Sequence, residues 1–248
     1  SEGKVSVGDA EEALLAMKNP YDTIALQAAG IGYRADYAYY NGKYYVYFGI
    51  VPVLLLYLPY YLLTGGALQN YVAVFVFFAG FIIAAAGFVY ELMKRYFKEQ
   101  PFYLWAVGTG MLVGSYSMFY LLIRPDLYHV PIVASAMFAT GGLWLYLAGL
   151  NRPKKAVGLY AFGSFCMALT AGCRPQFILF AALAVVLFWE RVFVKRELFS
   201  KKGWRQTAAL VVPYVLIAAG LMVYNALRFG SPCLLYTSPS PRDGLLSR

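Results

Sequence analysis

Long apolar stretches separated by short polar ones dominate the chain from residue 50 to residue 232. Six of them approach the roughly 20 apolar residues that an α-helix needs to cross a bilayer, at 71–93, 102–123, 131–150, 156–173, 177–193 and 207–225. A seventh, Ile50–Thr64, is shorter and contains Pro52 and Pro59. The pattern predicts an all-α polytopic membrane protein with six or seven transmembrane or re-entrant helices.

A different pattern, in which aromatic and polar residues alternate, precedes the first apolar stretch. Residues 36–48 read DYAYYNGKYYVYF, and the central Asn-Gly pair is the strongest short-range signal for a hairpin turn. We therefore predict a short β-hairpin over 36–48, with Tyr40 opposite Lys43 and Tyr39 opposite Tyr44. Strand alternation places one polar set of side chains on a single face, namely Asp36, Ala38, Tyr40, Lys43, Tyr45 and Tyr47.

Composition supports a membrane location. The 248 residues are 61% hydrophobic and 13% charged, with a mean hydropathy of +0.58, whereas soluble globular domains carry about 25% charged residues. The net charge of +9 does not indicate nucleic-acid binding, because the basic residues cluster in short loops between apolar stretches. Membrane lipid is the expected partner, and nucleic acid is not expected.

The distribution of basic residues predicts how the chain is oriented. Basic loops at 94–98, 151–155 and 191–205 alternate with sparsely charged loops at 124–130, 173–176 and 226–232. The positive-inside rule places the first set in the cytoplasm and the second set outside. If Ile50–Thr64 crosses the membrane, the hairpin is cytoplasmic; if that segment is re-entrant or interfacial, the hairpin is extracytoplasmic. The shortness and the two prolines of the segment favour the second alternative.

Two loops on the inferred outer side carry the densest polar chemistry. One contains Arg124, Asp126 and His129, the only histidine, and the other repeats an arginine–proline pair at Arg174. In a functional site the arginines would hold a phosphate in fork geometry, and Asp126 or His129 would act as acid, base or metal ligand. An ordinary helix-end loop with a snorkelling arginine explains these residues equally well. Arg152, in a basic cytoplasmic loop, is expected to have no chemical role.

Other patterns limit the classes of function. No P-loop, dinucleotide fingerprint or nucleophile elbow occurs, and few charges fall within the apolar stretches, which argues against an ion-coupled transporter or a proton relay. Cys166 and Cys173 lie in apolar surroundings without metal-ligand spacing, so no metal site is assigned to them. Several glycines predict close helix packing: Gly108, Gly110, Gly114, Gly141 and Gly142.

The two ends of the chain differ from the rest. Ser1 is not a start methionine, so we expect the sequence to begin inside a longer protein, after a first spanning helix. Residues 233–248 read CLLYTSPSPRDGLLSR, which we interpret as translated sequencing adaptor and exclude from the fold. The expected organisation is an extracytoplasmic loop with the hairpin at 1–49, an incomplete helical bundle at 50–232 and a non-native tail at 233–248.

Several longer motifs carry a resemblance to a known family. They are YNGKYYVYFGIVPVLLLYLPYYLLTG at 40–65, RPDLYHVPI at 124–132, CRPQF at 173–177 and NALRFGSP at 225–232. An outer loop with an aspartate, followed by this aromatic motif and a proline-marked apolar run, resembles the C-type (GT-C) integral-membrane glycosyltransferases. The narrow motifs are similar to those of multi-spanning proteins of this kind from gut Firmicutes, over most of residues 20–232.

The resemblance implies an enzyme of the bacterial cytoplasmic membrane that transfers a sugar from a polyprenyl-phosphate donor to an extracytoplasmic acceptor. By position, Asp36 matches the acid of the first outer loop in such enzymes, with Asp22 as an alternative, and Asp126 matches the second acid. Arg124 or Arg174 would hold the donor phosphate. The remaining substrate-binding candidates are Tyr40, Lys43, Tyr45 and His129. The cofactor is left open, with a divalent metal as one option.

Two other classes of function stay open at this point. One is a lipid-linked-glycan flippase or polymerase-type protein without transferase activity. The other is a non-enzymatic membrane scaffold. Convergence of the polar loops over one outer face favours the transferase and the flippase over the scaffold. An acidic pair beside a sugar phosphate favours the transferase over the flippase.

Overall fold

The computed structural model describes residues 8–9, 38–40, 43–45, 49–115, 118–197, 200 and 203–232. The chain divides into two compact units. One is formed by Phe48–Ala218, and the other by Ser1–Tyr47 together with Ala219–Arg248. The first unit contains most of the helices and is the membrane-embedded bundle described below.

The described helices follow the predicted apolar stretches closely. They are α1 Ile50–Thr64, α2 Asn70–Tyr96, α3 Tyr103–Ser115, α4 Met118–Ile123, α5 His129–Asn151, α6 Ala156–Cys173, α7 Ala182–Trp189 and α8 Trp204–Phe229. Short 3₁₀ turns at Pro153–Lys155 and Pro175–Ala181 precede α6 and α7, and a π turn at Glu190–Val194 follows α7.

Five helical segments are long and apolar enough to cross a membrane. They are Asn70–Tyr96, His129–Asn151, Pro153–Cys173, Pro175–Val194 and Trp204–Arg228. This confirms a helical, multi-pass membrane protein. The predicted span 102–123 corresponds to α3 and α4, and residues 116–117 between them lie outside the described residues, so a continuous span there stays a prediction.

Helix α5 forms the centre of the bundle and packs between α2 and α6. The core on the α2 side contains Phe77, Phe81 and Val133, and all three are buried. A second cluster on the α6 side is built around Tyr146, Tyr160 and Phe188, whose rings meet edge to face. Since lipid offers no hydrophobic drive between helices, this close packing of side chains supplies much of the attraction that holds α5 in place.

Small residues allow α5 and α6 to approach closely. A Cβ atom on Gly142 would lie 3.0 Å from the carbonyl oxygen of Gly163, and one on Gly163 would lie 2.9 Å from Cδ1 of Tyr146. The prediction of close packing is therefore confirmed for Gly142. It is wrong for Gly110 and Gly114, which have no described atom within 4 Å of a built Cβ, because α3 offers these faces to no described helix.

The basic loops meet at one end of the bundle. Arg95 Nη1, near the end of α2, donates to the carbonyl oxygen of Leu150 at 3.5 Å and to Oδ1 of Asn151 at 3.4 Å. Arg191 Nη1 donates to Tyr160 Oη, near the start of α6, at 2.9 Å. We call this the basic end. The described parts of all three basic loops lie there, as the alternation of loops predicted.

Helix α1 starts at the opposite end. The Gly49 amide donates to the carbonyl oxygen of Cys173, the last residue of α6, at 3.2 Å. Gly49 has a φ of +79°, and a Cβ there would lie 3.3 Å from Cγ of Pro131. A glycine is needed at this position because of both the left-handed backbone and the close approach.

The last residues of α1 lie at the same end of the bundle as its first residues, opposite the basic end. Helices α2 and α5 meet at their C-terminal ends, so Asn70 and His129 both lie away from the basic end. Tyr57, in the middle of α1, donates its hydroxyl to Oδ1 of Asn70 at 2.7 Å. The chain thus enters α1 and leaves it into α2 at one end of the bundle, as a re-entrant or interfacial segment would; that Ile50–Thr64 does not cross the membrane stays a prediction.

The prolines explain the shape of α1. Pro59 has no amide hydrogen, and its ring would clash with the carbonyl four residues earlier in a regular helix. The helix widens to a π turn at Val53–Tyr57 just before it, which relieves that clash. Leu62 and Leu63 beyond the turn are 72% and 86% exposed, as expected of a helix whose apolar side chains face lipid at the membrane surface.

The described strands are short. β1 Gly8–Asp9 and β2 Ala38–Tyr40 both pair antiparallel with β3 Lys43–Tyr45. In the β2–β3 pair the Cα partners are Ala38 with Tyr45, Tyr39 with Tyr44 and Tyr40 with Lys43. The turn at 41–42 and the outer arms of the predicted hairpin lie outside the described residues. The hairpin over 36–48, with its polar face, therefore stays a prediction.

Two glycines of α6 provide a matched test of the packing. We expect Gly163→Leu to lower the free energy of unfolding by about 1–3 kcal/mol, because the added side chain overpacks the contact with Tyr146. Gly158→Leu adds the same side chain to the same helix where no atom lies within 4 Å, and it should be neutral or stabilising. Thermal unfolding in detergent measures both, and equal destabilisation would contradict the described α5–α6 contact.

Candidate functional site

The loop between α4 and α5 is held in one conformation by its own backbone. The Asp126 amide donates to the carbonyl oxygen of Arg124 at 2.9 Å, and the His129 amide donates to that of Asp126 at 2.9 Å. The His129 ring donates from Nδ1 to the Arg124 carbonyl oxygen and packs edge-on against Tyr120, with ring centroids 5.9 Å apart. His129 therefore closes the loop, a role that the sequence did not suggest.

The second arginine corner lies against this loop. Arg174, directly after α6, donates from Nη2 to the carbonyl oxygen of Tyr128 at 3.3 Å. Pro175 turns the chain away into the next span and leaves Arg174 half-buried beside the loop. We call the surface formed by Gly49, Arg124–His129 and Arg174 the outer corner. The structure thus brings two of the sequence-predicted loops together.

Two charges at the outer corner, those of Arg124 and Asp126, are accessible to a ligand. The side chains of Arg124 and Asp126 are exposed, and in the described part of the chain they form no ion pair with each other. A guanidinium that no carboxylate engages can bind a phosphate through two parallel hydrogen bonds. The exposed carboxylate of Asp126 is free to accept a proton from a hydroxyl group. The corner can therefore bind an anion and assist proton transfer.

The other candidate residues cannot be placed in the site. Asp36 and Asp22 lie outside the described residues, and for Tyr40, Lys43 and Tyr45 the structure describes the backbone alone. Their predicted roles are untested and stay predictions. Among the described residues, no three His, Cys, Asp or Glu side chains form a group that could hold a metal ion.

Sequence reasoning missed a buried charged cluster at the basic end. Glu91, on the last turns of α2, is 2% exposed and pairs with Arg152 Nη2 at 2.5 Å. Asn151 Nδ2 donates to the Glu91 carboxylate at 2.8 Å and to its carbonyl oxygen at 3.1 Å. The cluster thus fastens the end of α2 to the end of α5. It satisfies a carboxylate that would be very costly to bury alone.

This cluster gives Arg152 a structural role. The sequence predicted no chemical role for this residue, because arginine–proline pairs commonly end helices, and that prediction stays untested. Its guanidinium neutralises Glu91 where the ends of two helices meet. A usable signal was present: Glu91 is the only acid in the predicted span 71–93, and an acid within an apolar span needs a partner.

Further polar groups of the bundle are satisfied internally. Tyr146 Oη lies 2.9 Å from Ser164 Oγ and 3.1 Å from Tyr214 Oη, so three hydroxyl groups satisfy one another among apolar helices. Arg191 donates to Gln206 at 2.7 Å and to Glu197 at 2.9 Å. These groups hold helices together, because an unpaired polar group in lipid would be costly.

Two groups outside the spans have shifted proton affinities. Burial raises the pKa of Tyr57, so its hydroxyl keeps the proton that it donates to Asn70. The hydrogen bond to Glu190 raises the pKa of Lys195. Neither residue lies at the outer corner, and both shifts stabilise contacts that the folded chain already makes.

Comparison of the chain with protein-family models, with curated proteins and with solved structures found no match. The function therefore has to be inferred from the chemistry of the outer corner and the membrane topology. Both features arise from contacts within the bundle.

The missed cluster gives a stability test. We expect Glu91→Ala to lower the free energy of unfolding by about 1–3 kcal/mol, because Asn151 and the 40% exposed Arg152 lose a buried, hydrogen-bonded partner. Glu190→Ala is the matched control, since its pair with Lys195 is 60% and 53% exposed and exposed pairs contribute about 1 kcal/mol or less. Denaturant unfolding of both variants in detergent measures the difference. Equally small losses of unfolding free energy in the two variants would show that the Glu91 cluster does not hold α2 against α5.

Proposed function

We propose that the protein is a C-type membrane glycosyltransferase of the bacterial cytoplasmic membrane. It transfers a sugar from a polyprenyl-phosphate donor to an acceptor on the outer face. The observation that supports this most is the contact between Arg174 Nη2 and the Tyr128 carbonyl oxygen. That contact brings two arginine-bearing loops to one end of the bundle, opposite the basic end that the positive-inside rule assigns to the cytoplasm.

The donor phosphate is the ligand that these arginines suit. Arg124 is exposed and Arg174 is half-buried, so a phosphate can be held by one arginine at the surface and by another that water screens less. A polyprenyl phosphate would present its charged group at the depth of the outer corner while its chain stays in lipid. A soluble nucleotide-sugar would not need this arrangement.

Helix α1 supports a lipid-linked donor. It starts at the outer corner through the Gly49–Cys173 hydrogen bond and exposes Leu54, Leu62 and Leu63. A helix at the membrane surface beside a cationic corner offers an apolar border along which a polyprenyl chain can lie. In this proposal α1 guides the lipid and the arginines fix its phosphate.

Two acids complete the proposed mechanism. Asp126 is the exposed carboxylate of the outer corner, and in the proposal it takes the proton of the attacking acceptor hydroxyl or positions that hydroxyl. The other acid is Asp36, on the predicted hairpin, which matches the acid of the first outer loop. The hairpin would contribute Tyr40, Lys43 and Tyr45 to sugar binding, since aromatic faces beside charged groups suit a sugar. The attacking oxygen forms the new bond to the sugar carbon, and the polyprenyl phosphate leaves.

The acids give the direct test. We expect Asp126→Asn and Asp36→Asn each to reduce sugar transfer by about 10²–10⁴-fold, because an amide cannot accept the proton. Transfer is measured with the full-length protein in membranes, from polyprenyl-phosphate-linked glucose, mannose or galactose, at equal protein levels. Glu99→Gln is the control, since it changes an exposed acid in the basic loop after α2.

Two outcomes would overturn this assignment. Full transfer by both asparagine variants would remove the proposed acids from the mechanism. Movement of the lipid-linked sugar across the membrane, without its consumption, would instead identify a flippase.

A further inference from the structure

A cavity of about 460 Å³ opens at the basic end, between the ends of α2 and α5. Its lining includes three basic side chains, together with Tyr96, Asn151 and Pro153. The basic side chains are Lys94, Arg95 and Lys98, and no acid stands among the described residues that line the cavity. The outer corner lies at the other end of the bundle, so this cavity is a separate feature.

One acid near the cavity is already engaged. The Glu91 carboxylate accepts from Arg152 at 2.5 Å and from Asn151 at 2.8 Å, so the Arg152 guanidinium balances its charge and the Asn151 amide fills a further acceptor site. Glu91 therefore does not neutralise Arg95, which lies four residues later on the same helix. The positive charge of the cavity is left over after the described ion pairs have formed.

Arg95 is poorly satisfied by the protein. Its Nη1 donates only to neutral oxygens, at 3.5 Å on Leu150 and 3.4 Å on Asn151. Its buried Nε has no hydrogen-bond partner among the described residues. Within the same part of the chain, Lys94 and Lys98 take part in no ion pair. A half-buried guanidinium with a spare donor and no ion pair in the described part of the chain favours an anionic ligand.

We propose that this cavity binds the phosphate group of an anionic ligand at the cytoplasmic side of the membrane. Arg95 donates to the phosphate from Nε and from its terminal nitrogens, and Lys94 and Lys98 contribute charge as flexible ammonium groups. The phosphate belongs to a phospholipid headgroup or to a soluble phosphate ester. Basic pockets between helices on the cytoplasmic side are known to suit anionic headgroups.

A neighbouring cavity favours the lipid as the source. It has a volume of about 150 Å³, shares Lys94 and Lys98 with the first cavity and is otherwise lined mainly by aromatic and apolar side chains, among them Phe97, Phe102 and Trp105. A phospholipid can place its phosphate in the basic cavity and the start of an acyl chain against these rings. A soluble phosphate ester would use only the basic cavity.

The test compares lipid binding by variants that change charge equally. Native mass spectrometry of the purified full chain in detergent measures apparent dissociation constants for phosphatidylglycerol and for phosphatidylcholine. We expect Arg95→Gln and Lys98→Gln each to weaken phosphatidylglycerol binding about fivefold, the usual contribution of one basic residue. Lys155→Gln removes the same charge from an exposed site that does not line the cavity, and it should change binding less than twofold.

A second arm identifies the source of the phosphate. Inorganic phosphate and glycerol phosphate are added as competitors and as sole ligands. Competition at millimolar concentration supports a soluble phosphate ester, whereas binding of phosphatidylglycerol without such competition supports a headgroup. The proposal is overturned if phosphatidylglycerol, inorganic phosphate and glycerol phosphate all fail to bind better than phosphatidylcholine. It is also overturned if Lys155→Gln weakens binding as much as Lys98→Gln, whose exposed side chain can be changed without loss of folding.

Discussion

A bilayer cannot hydrogen-bond the polar groups of a chain that crosses it, and this constraint determines where the chemistry of this protein lies. Several polar side chains within the described bundle are paired with each other, as in the Tyr146–Ser164 contact and the Glu91–Arg152 ion pair. The remaining charges are sorted to the two ends. One end collects lysines and arginines, and the other collects Arg124, Asp126 and Arg174. Both proposed binding sites follow from this separation.

Close packing of α5 against α2 and α6 fixes the basic end and the outer corner of the bundle relative to each other. Gly142 and Gly163 let α5 and α6 approach, and the Glu91 cluster fastens α2 to α5. Helix α1 begins at Gly49, which contacts the end of α6, and its Tyr57 contacts Asn70 at the start of α2, so α1 lies at one end of the bundle. These contacts place α1 beside Arg174, and the apolar border of the outer corner results from them.

Sequence reasoning located the helices well because hydropathy and length are properties of single segments. The span 156–173 coincides with α6, and the short, proline-containing stretch Ile50–Thr64 forms a helix shorter than the five candidate spans. Contacts between segments were harder to predict from the sequence, because they depend on which helix faces meet. Glu91 with Arg152, the loop closure by His129 and the open faces of Gly110 and Gly114 all belong to this class.

The proposed function depends most directly on the prediction that residues 36–48 and the outer corner are exposed on the extracytoplasmic side. Single cysteines at Asn41 and Asp126, with Lys154→Cys as the basic-end control and Cys233 changed to serine, are labelled with a membrane-impermeant maleimide. Cys166 and Cys173 are buried and supply little background. The account predicts that Asn41→Cys and Asp126→Cys react in intact cells, whereas Lys154→Cys reacts only after permeabilisation. Reaction of Asn41→Cys only after permeabilisation, with Asp126→Cys reactive from outside, would contradict it.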